Sequence, residues 1–470
     1  MVNENAESEF AIKKREKYRH IVRDCLGVLL IIAQAVLFFY VWTKFLNPYI
    51  RNPYRFKGNY FLVVVYMILC MVFSSIYGGM KVGYYKVFDI ILSQSVCAFM
   101  TNLVTYFAIV FPVAPLFITP SPIIWMTAAD IVLVIVWSII GNRVFVRLFP
   151  PQRLIVLYSS AADIISVKFA SRPDRYVVGE KLHLEADLEK AYAGVDEVIR
   201  RCCGYDGVVL GDIPSELRND ILKKLYSKGV RTYTLPKVSD VILKSSETLH
   251  IFDSPVFLNR NYGLTAEQEL VKRIFDLLLS GIGIIVTSPI LVLTALAIKL
   301  NDGGPVFFKQ RRCTKGGRIF EIIKFRSMIV DAEKEGKSIP ATDKDPRITK
   351  VGAFIRMTRI DELPQLFNIF KGDMSIVGPR PERIEHVEKY TAEIPEFRYR
   401  LMVKGGLTGY AQIYGKYNTT AYDKLKLDLM YIQNYSLLMD ISLILQTVKV
   451  VLMKESTEGF GKDSSEAAGK

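Results

Sequence analysis

Asp361 and Glu362 are adjacent carboxylates inside Arg356-Met357-Thr358-Arg359-Ile360-Asp361-Glu362-Leu363-Pro364-Gln365-Leu366-Phe367-Asn368-Ile369-Phe370. Leu363, Leu366, Phe367 and Phe370 have the spacing of one helix face, and Pro364 suits a first turn, so the pair is expected at a helix N-terminus. Backbone N–H groups and the helix dipole favour negative charge there, and capping alone would account for both acids. Their neighbours add a second reading. Upstream, Lys324 and Arg326 lie two residues apart, on one side of a strand, in a cation-rich segment that would hold a phosphorylated substrate or lipid headgroups. Downstream, Gly372-Asp373-Met374-Ser375-Ile376-Val377-Gly378-Pro379-Arg380-Pro381 ends in an arginine fixed between two prolines. Carboxylates, cations and glycine turns together describe a site that handles phosphate.

The elements that must position these residues begin with Phe307–Arg312, the glycine turn at Gly316-Gly317 and Arg318–Met328, which alternate as a strand pair. Just before them, Ile274–Ile298 is apolar over a bilayer-spanning length, with Lys272 and Arg273 ahead of it and Lys299 behind. Basic residues at both ends place both ends on one side. Pro289 lacks an N–H and clashes with the carbonyl of Ile285, so the helix is expected to bend at Ser288-Pro289, with a nearby hydroxyl satisfying the freed backbone. The expectation is a re-entrant helix that enters one leaflet and returns. A proline-kinked span is the alternative.

Half of the 470 residues are hydrophobic and the formal net charge is +14. Such a chain is too long for one ordinary core and too apolar to be wholly soluble. Four further apolar runs, Cys25–Trp42 and those near 60–78, 87–111 and 123–141, each reach the ~20 residues of a membrane helix. The basic residues before the first run read as a cytoplasmic N-terminus of a signal anchor. Asp89 and Asp130 lie in or beside these runs, where a carboxylate is costly. Residues 151–255 then alternate strand, helix and strand, with strands at Arg153–Tyr158, Gly207–Leu210 and Val230–Thr234 and a helix over Pro214–Lys228, which suggests a Rossmann-like unit. The turn Tyr158–Asp163 lacks the G-x-G-x-x-G of a dinucleotide site, so a spacer or oligomerisation role is expected of it. Six cysteines without C-x-x-C spacing and four scattered histidines support neither a disulfide framework nor a zinc site, leaving oxygen ligands for any metal.

The motifs K-F-R-S-M, R-x-D-E-L-P-Q-L-x-N, G-D-M-S-I-V-G-P-R-P and L-D-L-x-Y-I, in this order across Val271–Leu452, closely resemble the bacterial sugar transferase family of polyprenol-phosphate sugar-1-phosphate transferases. The N-terminal segments resemble its long form. The resemblance implies a membrane α/β protein: a basic cytoplasmic N-terminus (1–24), a four-helix transmembrane bundle (25–148), a cytoplasmic Rossmann-like domain (151–255), a linker (256–270), a re-entrant helix broken at Ser288 and Pro289 (271–300), a mainly helical monotopic catalytic domain (301–455) and a disordered tail (456–470). It implies transfer of a sugar-1-phosphate from a UDP-sugar to undecaprenyl phosphate with release of UMP and with Mg2+, at the cytoplasmic face of the bacterial inner membrane, as the first step of capsule, exopolysaccharide or O-antigen synthesis. By the same resemblance Asp361 is the nucleophile that forms a phospho-sugar aspartyl intermediate, and Glu362 is the second acid, with both near the metal. Lys324, Arg326, Arg356, Arg380 and Gln412 are the implied substrate-binding residues. Membrane lipid is a further partner, a homodimer is the candidate assembly, and no nucleic acid is expected. Two positions depart from the family pattern: Thr314 stands where glycine is common and Gly405 where proline is common.

Two other readings remain. A membrane-anchored, NAD-dependent nucleotide-sugar dehydratase or epimerase would use a Y-x-x-x-K pair, for which Tyr422 and Lys426 have the spacing, although the NAD glycines are missing. A transporter or polysaccharide-assembly scaffold would need no chemistry, but the runs hold few charges and no evident inverted repeat.

Overall fold

A computed structural model describes residues 17–50, 52–110, 119–159, 164–185, 188–259, 263–330, 345–415 and 419–452. The start of the basic N-terminus, most of the uncharged loop after the third apolar run, most of the turn after the first strand and the tail at 456–470 lie outside the described residues. The chain divides into two compact units, 1–235 and 236–470.

The first unit opens with four apolar helices, α1 (Arg19–Val41), α2 (Phe56–Tyr77), α3 (Val87–Thr105) and α4 (Ser121–Leu148). With their short extensions, all four are long and apolar enough to cross a membrane. Packed aromatics such as Phe38 against Tyr66, with ring centroids 4.3 Å apart, tie them together. So does a polar contact: buried Asn102 donates to Asp130 Oδ2 at 2.9 Å and accepts from Tyr66 Oη at 2.9 Å. Asp130 therefore lies buried between helices, hydrogen-bonded inside the unit. A parallel sheet follows, β1 (Gln152–Tyr158), β2 (Tyr176–His183), β3 (Gly207–Leu210) and β4 (Thr232–Thr234), in the order β2-β1-β3-β4. Leu154–Leu157 and Val208–Leu210 are buried throughout, as central parallel strands must be. Helices α5 (Ile164–Ala170), α6 (Leu188–Cys202) and α7 (Ser215–Ser227) connect the strands. Strand β2 is an edge strand with alternating exposure and charged residues, which hides it in a search for apolar runs.

The second unit contains α8 (Val238–Lys244), an antiparallel hairpin of β5 (Glu247–Ile251) and β6 (Ser254–Leu258), and then α9 (Ala266–Asp302). Thr265 opens α9 with a reciprocal capping box to Gln268, so the helix begins inside the segment read as a linker. It continues helical through Pro289, and Ser288 Oγ donates to the Ile285 carbonyl at 2.8 Å, meeting the acceptor that proline leaves unpaired. Only 17% of its most apolar stretch is buried within the protein, and the helix is long and apolar enough to cross a membrane.

Strands β7 (Phe307–Cys313) and β8 (Ile319–Phe325) form the expected antiparallel pair. After them come α10 (Lys350–Met357), a 3₁₀ turn at Ile360–Glu362, α11 (Gln365–Lys371), β9 (Ser375–Val377), α12 (Ile384–Glu393), a 3₁₀ segment at Pro395–Met402, β10 (Gly406–Thr408), α13 (Tyr410–Tyr414), α14 (Ala421–Gln433) and α15 (Leu437–Leu452). Lys272 and Arg273, read from sequence only as a basic flank, dock α9 onto this unit. Buried Lys272 donates to Asp440 Oδ2 at 2.5 Å and to Tyr431 at 3.1 Å, while Arg273 caps α11 through the carbonyls of Ile369 and Phe370, each at 2.8 Å. Asp276 in α9 accepts from Ser375 Oγ and from the Ile376 N–H, fixing β9 to the helix.

Candidate active site

The acidic pair does not sit in the first turn of a helix. Asp361 and Glu362 occupy the 3₁₀ turn between α10 and α11, and α11 starts three residues later at Gln365. The expected apolar face also changes: Leu366 and Ile369 are buried with Asn368, whereas Phe367 and Phe370 are exposed. The turn is entered through Arg359, whose φ of 59° is left-handed. A side chain there costs roughly 1–2 kcal/mol, and such strain persists only where neighbouring structure imposes it.

Glu362 Oε1 accepts from Lys324 Nζ at 2.6 Å and from Arg380 Nη2 at 2.9 Å. Burial opposes its charge, but Arg380 and Lys324 outweigh burial and hold the carboxyl well below its usual range. Burial likewise pushes the Lys324 ammonium down, with Glu362 opposing it. Asp361 behaves differently. Burial and the adjacent Glu362 charge raise its carboxyl above the ordinary 3.8, against the pull of Lys324, Arg359 and Arg356. Among the described residues nothing hydrogen-bonds or ion-pairs with the Asp361 carboxylate, which leaves both of its oxygens for a reacting group or a cation.

Each partner is held by a separate device. Lys324 lies near the end of β8, opposite Phe308 of β7. Asn368 locks β8 to α11: its Nδ2 donates to the Glu321 carbonyl at 2.8 Å and its Oδ1 accepts from the Ile323 N–H at 3.0 Å. Arg380 follows β9, where Gly378 passes so close to the Lys404 carbonyl that a Cβ would approach it to 2.5 Å. The Arg380 carbonyl accepts from Arg400 Nη2 at 3.0 Å, and Arg400 is itself buried against Asp428 and Glu382. Arg312 donates to the Pro381 carbonyl at 3.2 Å; burial, with Arg380 nearby, pushes its guanidinium down to about 10.

The other residues expected at the site divide. The Arg356 side chain, in the last turn of α10, has no hydrogen bond or ion pair among the described residues and remains available to an anion. Arg326 is not brought to the acidic pair: β8 ends at Phe325, and the buried Arg326 guanidinium pairs with Asp302 at the end of α9. Gln412, in α13, donates its amide to the Leu407 carbonyl of β10 at 3.0 Å. Ser288 and Pro289 sit mid-way along α9, between Gly283, which faces Leu366 of α11, and Leu291, which packs in one apolar cluster with Ile360 of the acidic turn. Asn368, Arg400, Asp428 and Arg312 were not singled out from sequence. Asp428 was legible in principle, as a carboxylate on the buried face of α14 beside Leu425, Leu429 and Ile432.

The two departures from the family pattern meet in space. Thr314 Oγ1 donates to the Asp373 carbonyl at 3.0 Å and accepts from the Gly405 N–H at 3.2 Å. A proline at 405 would have no N–H to offer and a glycine at 314 no hydroxyl to receive it, so each departure gives the other a partner. Thr314→Val strands that N–H and is expected to lower stability by about 1–3 kcal/mol, measured by denaturant unfolding in detergent.

Tyr422 and Lys426 lie together, with the Lys426 ammonium 4.8 Å from the centroid of the Tyr422 ring. The Tyr422 hydroxyl accepts from the Val238 N–H at 3.4 Å, and buried Lys426 pairs with Asp423 at 2.7 Å, so both serve the packing of α14.

The family model described as Bacterial sugar transferase matches residues 267–454. The chain is 44% identical over 194 residues to the UDP-N-acetylgalactosamine-undecaprenyl-phosphate N-acetylgalactosaminephosphotransferase of Aeromonas hydrophila, covering 41% of this chain and 44% of that protein. It is 49% identical over 137 residues to a putative undecaprenyl-phosphate N-acetylgalactosaminyl 1-phosphate transferase of Bacillus subtilis, covering 29% of this chain and 76% of the relative. It is 39% identical over 194 residues to the UDP-glucose:undecaprenyl-phosphate glucose-1-phosphate transferase of Caulobacter vibrioides, covering 40% of this chain and 72% of the relative. Against the longer relatives, such as the Aeromonas and Klebsiella pneumoniae proteins, the match spans about half of their length or less. With the acidic turn, the cation-bearing hairpin and the arginine between prolines all inside the matched region, the chain belongs to the bacterial sugar transferase family.

Proposed function

We propose that this protein transfers a sugar-1-phosphate from a UDP-sugar to undecaprenyl phosphate, releasing UMP and beginning the assembly of a surface polysaccharide. The observation that carries the proposal is the unequal environment of the two acids. Glu362 is neutralised by Lys324 and Arg380, while Asp361, one residue away, is left without a partner among the described residues.

In the first displacement an Asp361 oxygen attacks the sugar-bearing phosphorus of the UDP-sugar. The bond from that phosphorus to the bridging oxygen breaks, UMP leaves, and a phospho-sugar aspartyl ester remains. In the second, a phosphate oxygen of undecaprenyl phosphate attacks the same phosphorus, and the Asp361 carboxylate departs. Arg356 is free to pair with phosphate oxygens, and Lys324 and Arg380 place fixed positive charge where the diphosphate would sit. Asp361 and Glu362 also suit Mg2+, which takes one or two carboxylates and completes its shell with substrate phosphate oxygens and water. Among the described residues no cluster of three or more His, Cys, Asp or Glu offers a more complete cage. The bound ion would neutralise charge on the diphosphate.

The same reading places the protein in the bacterial inner membrane with this site at the cytoplasmic face. It takes α1–α4 as a four-helix transmembrane bundle and the parallel sheet with its helices as a Rossmann-like domain. It takes α9 as re-entrant, and because that helix is unbroken, the return must come from a bend at Ser288-Pro289. Purified full-length protein supplied with Mg2+, undecaprenyl phosphate and a panel of UDP-sugars should release UMP with at least one sugar; no release across the panel would overturn the proposal.

The charges also predict a pH response. Asp361 attacks as the carboxylate, so activity should rise as pH climbs through its elevated pKa. Glu362→Gln removes a neighbouring negative charge and releases Lys324 and Arg380 toward Asp361. The acid limb of the kcat profile should therefore move to lower pH even as the maximal rate falls. An acid limb that stays in place would mean that Glu362 does not control Asp361.

A further inference from the structure

Ionisable groups are costly on a helix of membrane length and usually carry a task. The face that α9 buries against the rest of its unit is nonetheless polar: Lys272, Asp276 and Ser280 follow at intervals of four, and all three are buried. Lys272 is answered by Asp440. Asp276 has no cation within ion-pair distance among the described residues. Its Oδ1 serves β9 instead, accepting from the Ile376 N–H at 2.9 Å and from Ser375 Oγ at 3.0 Å.

β9 needs that acceptor. It is three residues long and pairs with β10 in a two-stranded sheet, Ser375 opposite Gly406 and Val377 opposite Thr408. Alternation along the strand turns the Ile376 N–H to the edge that β10 leaves open, where a buried donor must find a partner. Asp276 takes the place of a neighbouring strand. One turn earlier on α9, Lys272 donates to Tyr431 Oη at 3.1 Å, and that hydroxyl is 3.3 Å from the Val377 carbonyl. β9 leads directly to Arg380 through Gly378 and Pro379. Gly378 has no room for a Cβ, and Pro379 and Pro381 fix φ on either side of the arginine. Little slack therefore lies between Ile376 and the guanidinium on Glu362.

We propose that Asp276 is a positioning residue: from α9 it holds the open edge of β9 and so keeps Arg380 seated on Glu362 and facing the diphosphate of the UDP-sugar. The role rests on the function proposed above for Arg380. It calls for an acceptor oxygen at a fixed place rather than for a negative charge. It also makes the seat of a membrane-length helix part of the geometry of the site, since a displacement of α9 is passed along β9 to the guanidinium.

Isothermal titration of UDP with Mg2+ into the full-length protein in detergent tests this without turnover, beside KM and kcat for UMP release. Asp276→Leu, similar in size but without an acceptor, should weaken UDP binding and raise KM for the UDP-sugar about tenfold, with a smaller fall in kcat. Asp276→Asn keeps the oxygen and should bind UDP within about twofold of wild type. Asp276→Glu keeps charge and acceptor but moves the oxygen by one methylene, so it should weaken UDP binding even where Asp276→Leu fails to fold. In an Arg380→Gln background Asp276→Glu should add little, because both changes act on one contact. Wild-type UDP affinity in Asp276→Glu or in a folded Asp276→Leu protein would sink the proposal. So would a loss in Asp276→Asn as large as in Asp276→Leu, or losses that add fully to those of Arg380→Gln. Wild type that binds UDP but releases no UMP would count against the proposed function alone.

Discussion

Asp361→Asn is expected to lower the rate of UMP release by at least about a thousandfold, leaving a protein that still folds and still binds UDP-sugar. The size of the effect follows from the role. An amide of the same shape cannot supply the attacking oxygen, and the adjacent carboxylate, Glu362, is already engaged by Lys324 and Arg380. Stability should change little, because Asp361 makes no hydrogen bond or ion pair among the described residues and its carboxyl is raised by burial and by Glu362. Neutralising it removes a repulsion. Parallel UMP-release assays and thermal unfolding separate the two effects, and a loss of activity matched by a loss of fold would assign Asp361 a structural role instead.

The largest stability effect is expected away from the chemistry, at Asp428. Arg400 and Asp428 form an ion pair in which both side chains are almost wholly buried, 2.8 Å apart, with a second bond at 3.0 Å. Removing one partner of such a pair leaves the other charge in a poorly solvated place, at a cost of about 3–5 kcal/mol. Glu382, 3.5 Å from Arg400, offsets part of this, so Asp428→Ala should cost roughly 3 kcal/mol. Denaturant unfolding in detergent measures it. Because Arg400 also holds the Arg380 carbonyl, UMP release should fall with UDP-sugar affinity more than Asp428 would suggest from its place on α14. Asp428→Ala with unchanged stability would mean that Arg400 is satisfied by Glu382 alone.

What the sequence made legible was chiefly what is local. The acidic pair, the β7–β8 hairpin with Lys324, the rigid Arg380 and the long apolar runs are each written in contiguous residues whose spacing carries the signal. The hydroxyl rescue at Pro289 was also foreseeable, because acceptor and donor lie three residues apart. Reading failed where the deciding contact is distant. Period-two spacing put Arg326 beside Lys324, but the strand ends between them and Asp302 captures the guanidinium. Lys272 and Arg273 read as a topological flank, because the partners that bury or engage them lie roughly 100 to 170 residues away in the chain. Asn368, whose amide sets the distance between hairpin and acidic turn, looked like an ordinary polar residue on a short helix. The helix-start reading of Asp361 failed for a different reason: a left-handed Arg359 is not predictable from composition, and it diverts the chain into a 3₁₀ turn first.

The central claim is that Asp361 becomes covalently bonded to the sugar-bearing phosphorus. The most direct measurement incubates full-length protein with Mg2+ and its UDP-sugar in the absence of undecaprenyl phosphate, then maps modified peptides by mass spectrometry after an acid quench. A sugar-phosphate adduct on the peptide containing Asp361, formed with one equivalent of UMP and discharged when undecaprenyl phosphate is added, is the predicted result. Full turnover by Asp361→Asn, with no adduct on any wild-type peptide, would contradict it.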